Sequence, residues 1–252
     1  MAIILGGSGV DAQVVAGPNI VTDGLVFYID PADTSSLGTA GNVALVNGTE
    51  VDYIYGQLGD TQRVDFTSTG TGAAGFPYYS PNNQGYLFTG INDTQNSRGA
   101  FSKKIVVQEA YTIDFWLAPR FTGGNTWLSA DRTNPPIRDG QYALLSITQS
   151  PAKINTSFYP SLSRTLTTDK WVNIVIAING STATYYTEGV SRGAQLRTDF
   201  SVTSLTIDNI GNPNYSIGAG DGALGPVKLY NRAITAQEVL QNYNAIKNRY
   251  TI

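Results

Sequence analysis

The sequence contains no cysteine and no histidine. Without cysteine, neither a disulfide framework nor a thiolate metal site can form. Without histidine, a Ser-His-Asp or Cys-His relay and an imidazole zinc site are equally ruled out. These absences exclude most nucleophilic hydrolases and leave oxygen ligands as the remaining route to a metal site.

Clustered positive charge is also missing. The 16 Lys and Arg residues are scattered and the formal net charge is -3, whereas a nucleic-acid binder presents a basic patch. No apolar run is long enough to cross a bilayer, and the first residues lack the basic start and apolar core of a secretory signal. We therefore expect no nucleic-acid or membrane partner, and synthesis in the cytoplasm without a signal peptide.

The composition that remains favours strands and turns over helices. Hydrophobic residues make up 41% of the chain and charged residues 14%, with 27 Gly and 15 Tyr. Residues 1–22 carry few large side chains and are predicted to be an N-terminal arm, while residues 23–252 are predicted to form one domain. Between Gly56 and Gly85, turn chemistry with little periodicity predicts a long surface excursion.

Strand patterns recur at short intervals from Asp23 onward, at 25–30, 111–119, 142–148 and 154–159. In "YTIDFWL", alternate side chains from Tyr111 to Leu117 share one face, which predicts a strand with one core face. The segment "WVNIVIAI" is followed by Asn179-Gly180 and then "STATYYT". We predict a hairpin here, with Asn179 and Gly180 as the central turn residues.

One stretch near the C-terminus predicts a helix, over about 235–248. Thr235 and Glu238 have the spacing of a capping box. Apolar side chains then recur at helical spacing in Val239, Tyr243, Ile246 and Tyr250. This stripe requires a partner surface, and we expect a sheet edge or rim.

The order of four segments carries a resemblance to a known family. These segments are "GLVFYID", "YTIDFWLAP", "KWVNIVIAINGSTATYYTEGV" and "IGAGDGALGPVKLYNRAITAQEVLQNYNAIKNRY". Together they resemble the concanavalin-A-like lectin/glucanase superfamily, and more narrowly the laminin-G-like jelly-roll domains found in bacteriophage structural proteins. The resemblance implies an all-β, two-sheet antiparallel jelly-roll sandwich closed by one short C-terminal helix.

Two functions follow from this resemblance. The first is a bacteriophage virion structural protein, part of a capsid decoration, fibre or tail. It would be a homo-oligomer in the particle and contact other virion proteins through the N-terminal arm. The alternative is a carbohydrate-binding module that recognises a host surface glycan.

The spacing of the carboxylates argues against catalysis. Glucanases of the superfamily carry a Glu-x-Asp-x-x-Glu pattern, which none of the four Glu residues matches. Glu109 and Asp114 are the nearest approach, but a spacing of five places them on opposite faces of a strand. The sequence therefore predicts a protein that is not an enzyme.

Loop carboxylates offer oxygen ligands for calcium, an ion that the family often binds, in Asp93, Asp131, Asp139 and Asp221. We favour the alternative that these side chains cap turns through their own backbone, so that no cofactor is required.

Aromatic side chains are the remaining candidates for a binding surface, because apolar sugar faces stack on aromatic rings. Trp171 begins a buried strand pattern and is predicted to be core. Trp127 is predicted to lie in a loop, and Tyr78 and Tyr79 in "PYYSPNNQ" to form an exposed pair. We predict Trp127, Tyr78 and Tyr79 as contacts for a ligand or a partner protein.

Overall fold

A computed structural model describes most of the chain. The described residues are 20–39, 44–47, 49–59, 62–68, 77–80, 86–88, 97–119, 125–130, 143–148, 153–156, 159–162, 166–167, 169–196, 204–210 and 222–250.

Antiparallel strands form two sheets. The strands are β1 Leu25–Ile29, β2 Leu37–Gly38, β3 Tyr53–Tyr55, β4 Arg63–Ser68, β5 Tyr78–Ser80, β6 Tyr86–Phe88, β7 Ser97–Val107, β8 Ala110–Pro119, β9 Asn125–Ala130, β10 Ala143–Thr148, β11 Lys153–Thr156, β12 Tyr159–Leu162, β13 Val172–Asn179, β14 Thr182–Thr187, β15 Val190–Leu196, β16 Leu205–Ile210 and β17 Gly222–Tyr230. Sheet A has the order β15-β14-β13-β8-β17-β6-β5, with β1 also paired to β17. Sheet B has the order β12-β11-β10-β9-β16-β7-β4-β3-β2. The predicted all-β jelly-roll sandwich with one short C-terminal helix is confirmed.

The main core lies between the two sheets. Alternate residues of strands in both sheets supply it, among them Phe115 of β8, Ile176 of β13 and Ile54 of β3, each with 0% exposure. The outer face of the central strands of sheet A is also buried, so β8 is buried along nearly its whole length. The alternation in "YTIDFWL" therefore separates two buried faces, whereas the sequence predicted one core face.

The predicted hairpin forms between β13 and β14, but its turn is shifted by one residue. Asn179 still pairs with Thr182, so Gly180 and Ser181 are the central residues. Only Gly180 has positive φ, at +57°. Glycine at the first central position with positive φ fits a type II′ turn. The prediction of Asn179 and Gly180 as the central pair is wrong, because the ladder continues through Asn179.

The segment between Gly56 and Gly85 is not a surface excursion throughout. It contributes β4 to sheet B and β5 to sheet A. Val64 and Phe66 of β4 are buried in the main core, at 0% and 4% exposure. The strands are short and separated by Gly-rich stretches, so the alternation is too brief to stand out in the sequence.

The predicted C-terminal helix, α1, runs over Ala236–Ile246 and continues into a 3₁₀ turn at Lys247–Arg249. The capping box is confirmed: the Glu238 amide donates to Thr235 Oγ1, and the Thr235 amide donates to Glu238 Oε2 at 2.7 Å. Val239 and Ile246 are buried against residues of sheet A. The helix thus covers the outer face of sheet A, whereas an edge or rim was expected.

Packing of the domain begins before the predicted boundary at Asp23. Ile20 and Val21 are both 7% exposed and lie among residues of α1 and sheet A. The Val21 amide donates to Asn242 Oδ1 at 2.9 Å, and the Tyr230 hydroxyl donates to the Val21 carbonyl at 3.1 Å. The last residues of the predicted arm are therefore fixed to the sandwich.

Candidate functional site

Of the three aromatic residues predicted as contacts, the structure describes the side chain of Tyr79 alone. Tyr79 is only 7% exposed and packs in the main core, so the prediction that it is exposed is wrong. The side chains of Tyr78 and Trp127 lie outside the described residues. The backbone of Trp127 belongs to strand β9, and not to a loop as predicted. Its strand position reflects pairing with β10 and β16, which no local signal reveals.

A different group of polar and aromatic side chains lies on the outer face of sheet B. We call it the tyrosine patch, and it comprises Tyr53, Tyr55, Arg63, Asp65 and Ser102. Strands β3, β4 and β7 are neighbours in the sheet and supply its members. Their inward-facing neighbours, such as Ile54 and Val64, are fully buried. The alternation of each strand therefore turns the members of the patch to the outer face.

The two tyrosine rings of the patch are held in place by their neighbours. Their centroids lie 5.2 Å apart with an interplanar angle of 71°, an edge-to-face arrangement. Tyr53 pairs with Gly38 of β2, and a Cβ atom on Gly38 would lie 1.9 Å from Tyr53 Cζ. A glycine is thus required for the ring to lie against this strand. Both tyrosine residues remain half-buried, so part of their surface stays open to solvent.

Charge in the tyrosine patch is paired. Arg63 Nη2 lies 2.7 Å from Asp65 Oδ1, and the two side chains are 38% and 37% exposed. The Arg63 guanidinium also lies 4.9 Å from the centroid of the Tyr53 ring. A hydrogen bond with Tyr55 is the largest of the influences that raise the pKa of Arg63. The guanidinium of Arg63 is therefore positioned by Asp65 and Tyr53.

Chemically, the tyrosine patch combines ring surface with hydrogen-bonding groups of both kinds. The Asp65 carboxylate accepts hydrogen bonds, the Arg63 guanidinium donates them, and hydroxyl groups do both. Ser102 Oγ already accepts the Arg63 amide at 2.9 Å. Such a surface suits a ligand that has an apolar face and several hydroxyl groups, which is the chemistry of a sugar ring.

The sequence carries a local signal for the tyrosine patch. The stretches "YIY" and "RVD" each alternate an apolar residue with outward-facing ones. That alternation identifies which side chains share a face in each strand. It does not reveal that β3, β4 and β7 are adjacent, because β7 begins 29 residues after the end of β4.

A second group of polar side chains lies on the outer face of sheet A, beneath α1. This buried polar network comprises Asp114, Lys228, Asn173, Asn242 and Tyr230. Lys228 Nζ lies 2.9 Å from Asp114 Oδ2, with side-chain exposures of 0% and 1%. Asn173 Nδ2 donates to Asp114 Oδ1 at 2.9 Å, and Asn242 Nδ2 donates to Asp114 Oδ2 at 3.2 Å.

The buried polar network ties the helix to the sheet. Asn242 Nδ2 also lies 2.8 Å from the Tyr230 hydroxyl oxygen, which accepts its hydrogen bond. Burial is the main cause of the raised pKa of Tyr230, so its hydroxyl stays protonated and can donate to the Val21 carbonyl. Asp114 is thus enclosed by α1 and its partners, while Glu109 lies exposed outside this network.

The two remaining described tryptophan residues are also buried. Trp116 is 0% exposed and stacks on Tyr243 of α1, with ring centroids 5.6 Å apart. Trp171 is 9% exposed, as its core prediction requires, and lies 4.0 Å from the Tyr250 ring centroid. These rings attach the C-terminal end of the chain to sheet A and are not available as an open stacking surface.

The four aspartates considered for calcium, Asp93, Asp131, Asp139 and Asp221, lie outside the described residues. Within the described ranges, no group of three or more Asp and Glu residues could hold a metal ion.

No helix in those ranges is long and apolar enough to cross a membrane.

Solved structures with the same fold include a sialidase from Trypanosoma rangeli in complex with sialic acid. It matches with a TM-score of 0.59 and 14% identity, over 92% of this chain and 35% of the sialidase chain. The chain therefore spans about a third of that protein. Domain 4 of an extracellular arabinanase from Geobacillus stearothermophilus, in complex with arabinotriose, matches with a TM-score of 0.52 and 14% identity, over 87% of this chain and 98% of the domain.

The prediction that the protein is not an enzyme is corrected by the sialidase matches. Sialidases are glycosidases, and a second structure from Trypanosoma rangeli, described as a covalent intermediate, matches over 92% of this chain with a TM-score of 0.56 and 12% identity. The chain lacks the Glu-x-Asp-x-x-Glu carboxylates of the glucanases. Sialidases use a tyrosine nucleophile, so that absence does not exclude a glycosidase. Enzymatic activity is left open.

No curated protein sequence matches the chain, but a family model does. A laminin-G family model, described as the concanavalin A-like lectin/glucanases superfamily, matches residues 93–240, which is more than half of the 252 residues. The matched range contains the central strands of sheet A and the first half of α1. The chain belongs to the concanavalin A-like lectin/glucanases superfamily.

Proposed function

We propose that this lectin-like sandwich binds a glycan, and that the glycan lies on the tyrosine patch. The observation that carries the proposal is the arrangement of two half-buried tyrosine rings next to a paired guanidinium and carboxylate, on an outer face of the sandwich. Protein sites for sugars place a few oriented polar groups around apolar ring surface. The arabinanase domain supports the proposal, since a sandwich of nearly equal length was solved with arabinotriose.

A binding measurement with two variants of one tyrosine tests this function. The chain is screened against an oligosaccharide array, and the affinity of each hit is measured by calorimetry. Tyr55→Ala removes a ring that carries no main-core packing and is expected to weaken binding at least about tenfold. Tyr55→Phe keeps the ring and serves as the matched control, with a smaller loss. Glycan binding that is unchanged in Tyr55→Ala contradicts the proposal.

Product release is measured in the same samples, because a glycosidase also binds its substrate. Release of reducing sugar would show that the protein is a glycosidase, whether its catalytic groups lie on the patch or on another surface. Binding without turnover would identify a recognition module. The comparison requires the full chain, since Ile20 and the C-terminal Tyr250 both pack into one buried cluster beside sheet A.

The second candidate is a structural role in a bacteriophage virion, as a capsid decoration, fibre or tail component. In this role residues 1–22 would supply the contact, and Val21 at the end of that segment is anchored to the sandwich by Asn242 and Tyr230. Contacts with other virion proteins through residues 1–22, and assembly as a homo-oligomer, belong to this proposal. Mass spectrometry of purified bacteriophage particles tests this proposal. Absence of the chain from the particles contradicts it.

A further inference from the structure

We infer that the glycan bound by the tyrosine patch is uncharged; this rests on the proposed function. The charged groups of the patch are already paired with each other, since Arg63 lies 2.7 Å from Asp65. Their formal charges cancel. A surface that recognises an acidic sugar instead offers an arginine whose guanidinium is free to take the carboxylate in two parallel hydrogen bonds.

The neighbours of Arg63 already occupy part of its guanidinium. The Tyr53 ring lies 4.9 Å from the guanidinium on one side, and Asp65 Oδ1 lies 2.7 Å from Arg63 Nη2 on another. A carboxylate or sulfate on the ligand would have to displace Asp65 or lie beside it. Two like charges in contact repel each other, and this repulsion is only partly screened at a half-exposed site.

Neutral sugars make better use of the same atoms. The Asp65 carboxylate can accept from one hydroxyl group while the Arg63 guanidinium donates to its neighbour, and neither bond disrupts the ion pair. The rings of Tyr53 and Tyr55 then face the apolar side of the sugar. Strands β3, β4 and β7 together span roughly 10 Å at the usual strand spacing. The patch therefore fits a short oligosaccharide segment that lies across the strands.

The inference is tested by removing the negative charge from the pair. Wild-type chain and Asp65→Asn are titrated with neutral oligosaccharides (arabinan, xylan, glucan and galactan fragments) and with acidic ones (sialyllactose and oligogalacturonate). The substitution should weaken binding of the neutral ligand about tenfold, because the amide is a poorer acceptor. It should also raise the affinity for acidic ligands about tenfold or more, because Arg63 is then unpaired.

Glu188→Gln is the matched control, because Glu188 forms a comparable surface pair with Arg192 at 3.4 Å on sheet A. It should change neither affinity. Lys104 lies two residues beyond Ser102 on β7 and is a nearby cation. The variant Lys104→Gln tests whether this lysine contributes to the affinity for acidic glycans.

The outcomes separate the two proposals. A wild-type chain that prefers acidic glycans, and loses them in Tyr55→Ala or Lys104→Gln, overturns the inference and leaves glycan binding in place. An Asp65→Asn variant with unchanged preference also overturns it. Failure to bind any glycan, or binding that is indifferent to Tyr55→Ala, overturns the proposed function and the inference with it.

Discussion

Lys228 Nζ and Asp114 Oδ2 lie 2.9 Å apart on neighbouring strands of sheet A, with both side chains closed to solvent. Asn173 and Asn242 complete the hydrogen bonding of the carboxylate. A buried ion pair of this kind is costly to break, since removal of one partner leaves the other charge buried without compensation.

Lys228→Met should therefore lower the free energy of unfolding by about 3 to 5 kcal/mol. The double variant Asp114→Asn/Lys228→Met removes both charges and keeps one acceptor oxygen, which can serve Asn173 or Asn242. It should be more stable than Lys228→Met by at least about 2 kcal/mol. Denaturant titration measures both values. Glu188→Gln, in the surface pair with Arg192, should change stability by less than about 0.5 kcal/mol. A double variant that is no better than the single one would contradict the charge-pair account.

The capping box predicts a pH dependence. Hydrogen bonds from Arg232 are the largest cause that lowers the pKa of Glu238, to about 2 from the usual 4.5. Because the folded-state pKa is lowered, the stabilisation is present above pH 4.5 and is lost as the pH falls towards about 2. Glu238→Gln retains the capping geometry but not the charge. Its deficit relative to wild type should shrink over this pH window in denaturant titrations, and a constant deficit would argue against the ionised pair.

The packing of α1 predicts a contrast along one helix. Ile246 is 1% exposed on the face of α1 that packs against sheet A, so Ile246→Ala should lower the free energy of unfolding by about 2 to 5 kcal/mol. Leu240 is 45% exposed on the same helix, so Leu240→Ala should cost less than about 0.5 kcal/mol. Thr235→Ala, which removes only the cap, should cost about 1 kcal/mol. Thermal melting distinguishes the three. Equal losses at Ile246 and Leu240 would mean that α1 is not held against sheet A.

Chain truncation before Ala233 tests the same helix as a whole. It exposes the outer face of sheet A and leaves Asp114 without Asn242. We expect an aggregated or unfolded product, detected by gel filtration and circular dichroism. A soluble, folded product with unchanged melting would show that the helix is dispensable.

We expect Gly38→Ala to weaken glycan binding while the protein stays folded. In Gly38→Ala the new Cβ would lie 1.9 Å from Tyr53 Cζ, so the tyrosine ring must move away from β2. Glycan affinity should fall about tenfold, with a change in stability of no more than about 1 kcal/mol. In a Tyr53→Ala background the same substitution should have no further effect on affinity. An additional loss in that background would place its effect outside the ring.

Features that depend on residues close together in the sequence were predicted better than features that depend on distant residues. Local signals were reliable. The capping box of Thr235 and Glu238 spans three residues and was predicted correctly, and the β13–β14 hairpin was predicted apart from a shift of one residue in its turn. Tyr79 was misjudged, because its polar, Gly-rich neighbours indicated a loop while pairing with β6 places the side chain in the core.

The sequence by itself determined the fold class, the helix and its cap, and which side chains alternate along each strand, since these depend on backbone preferences and neighbours within a few residues. Only the tertiary structure decided that α1 covers the outer face of sheet A, where Val21 bonds to Asn242 across 221 residues of sequence. It also decided that Tyr53 lies against Gly38 and that Arg63 lies beside Tyr53 and Ser102. The physical reason is that strand order in a sheet joins distant segments, and alternation within one strand carries no information about which strand becomes its neighbour.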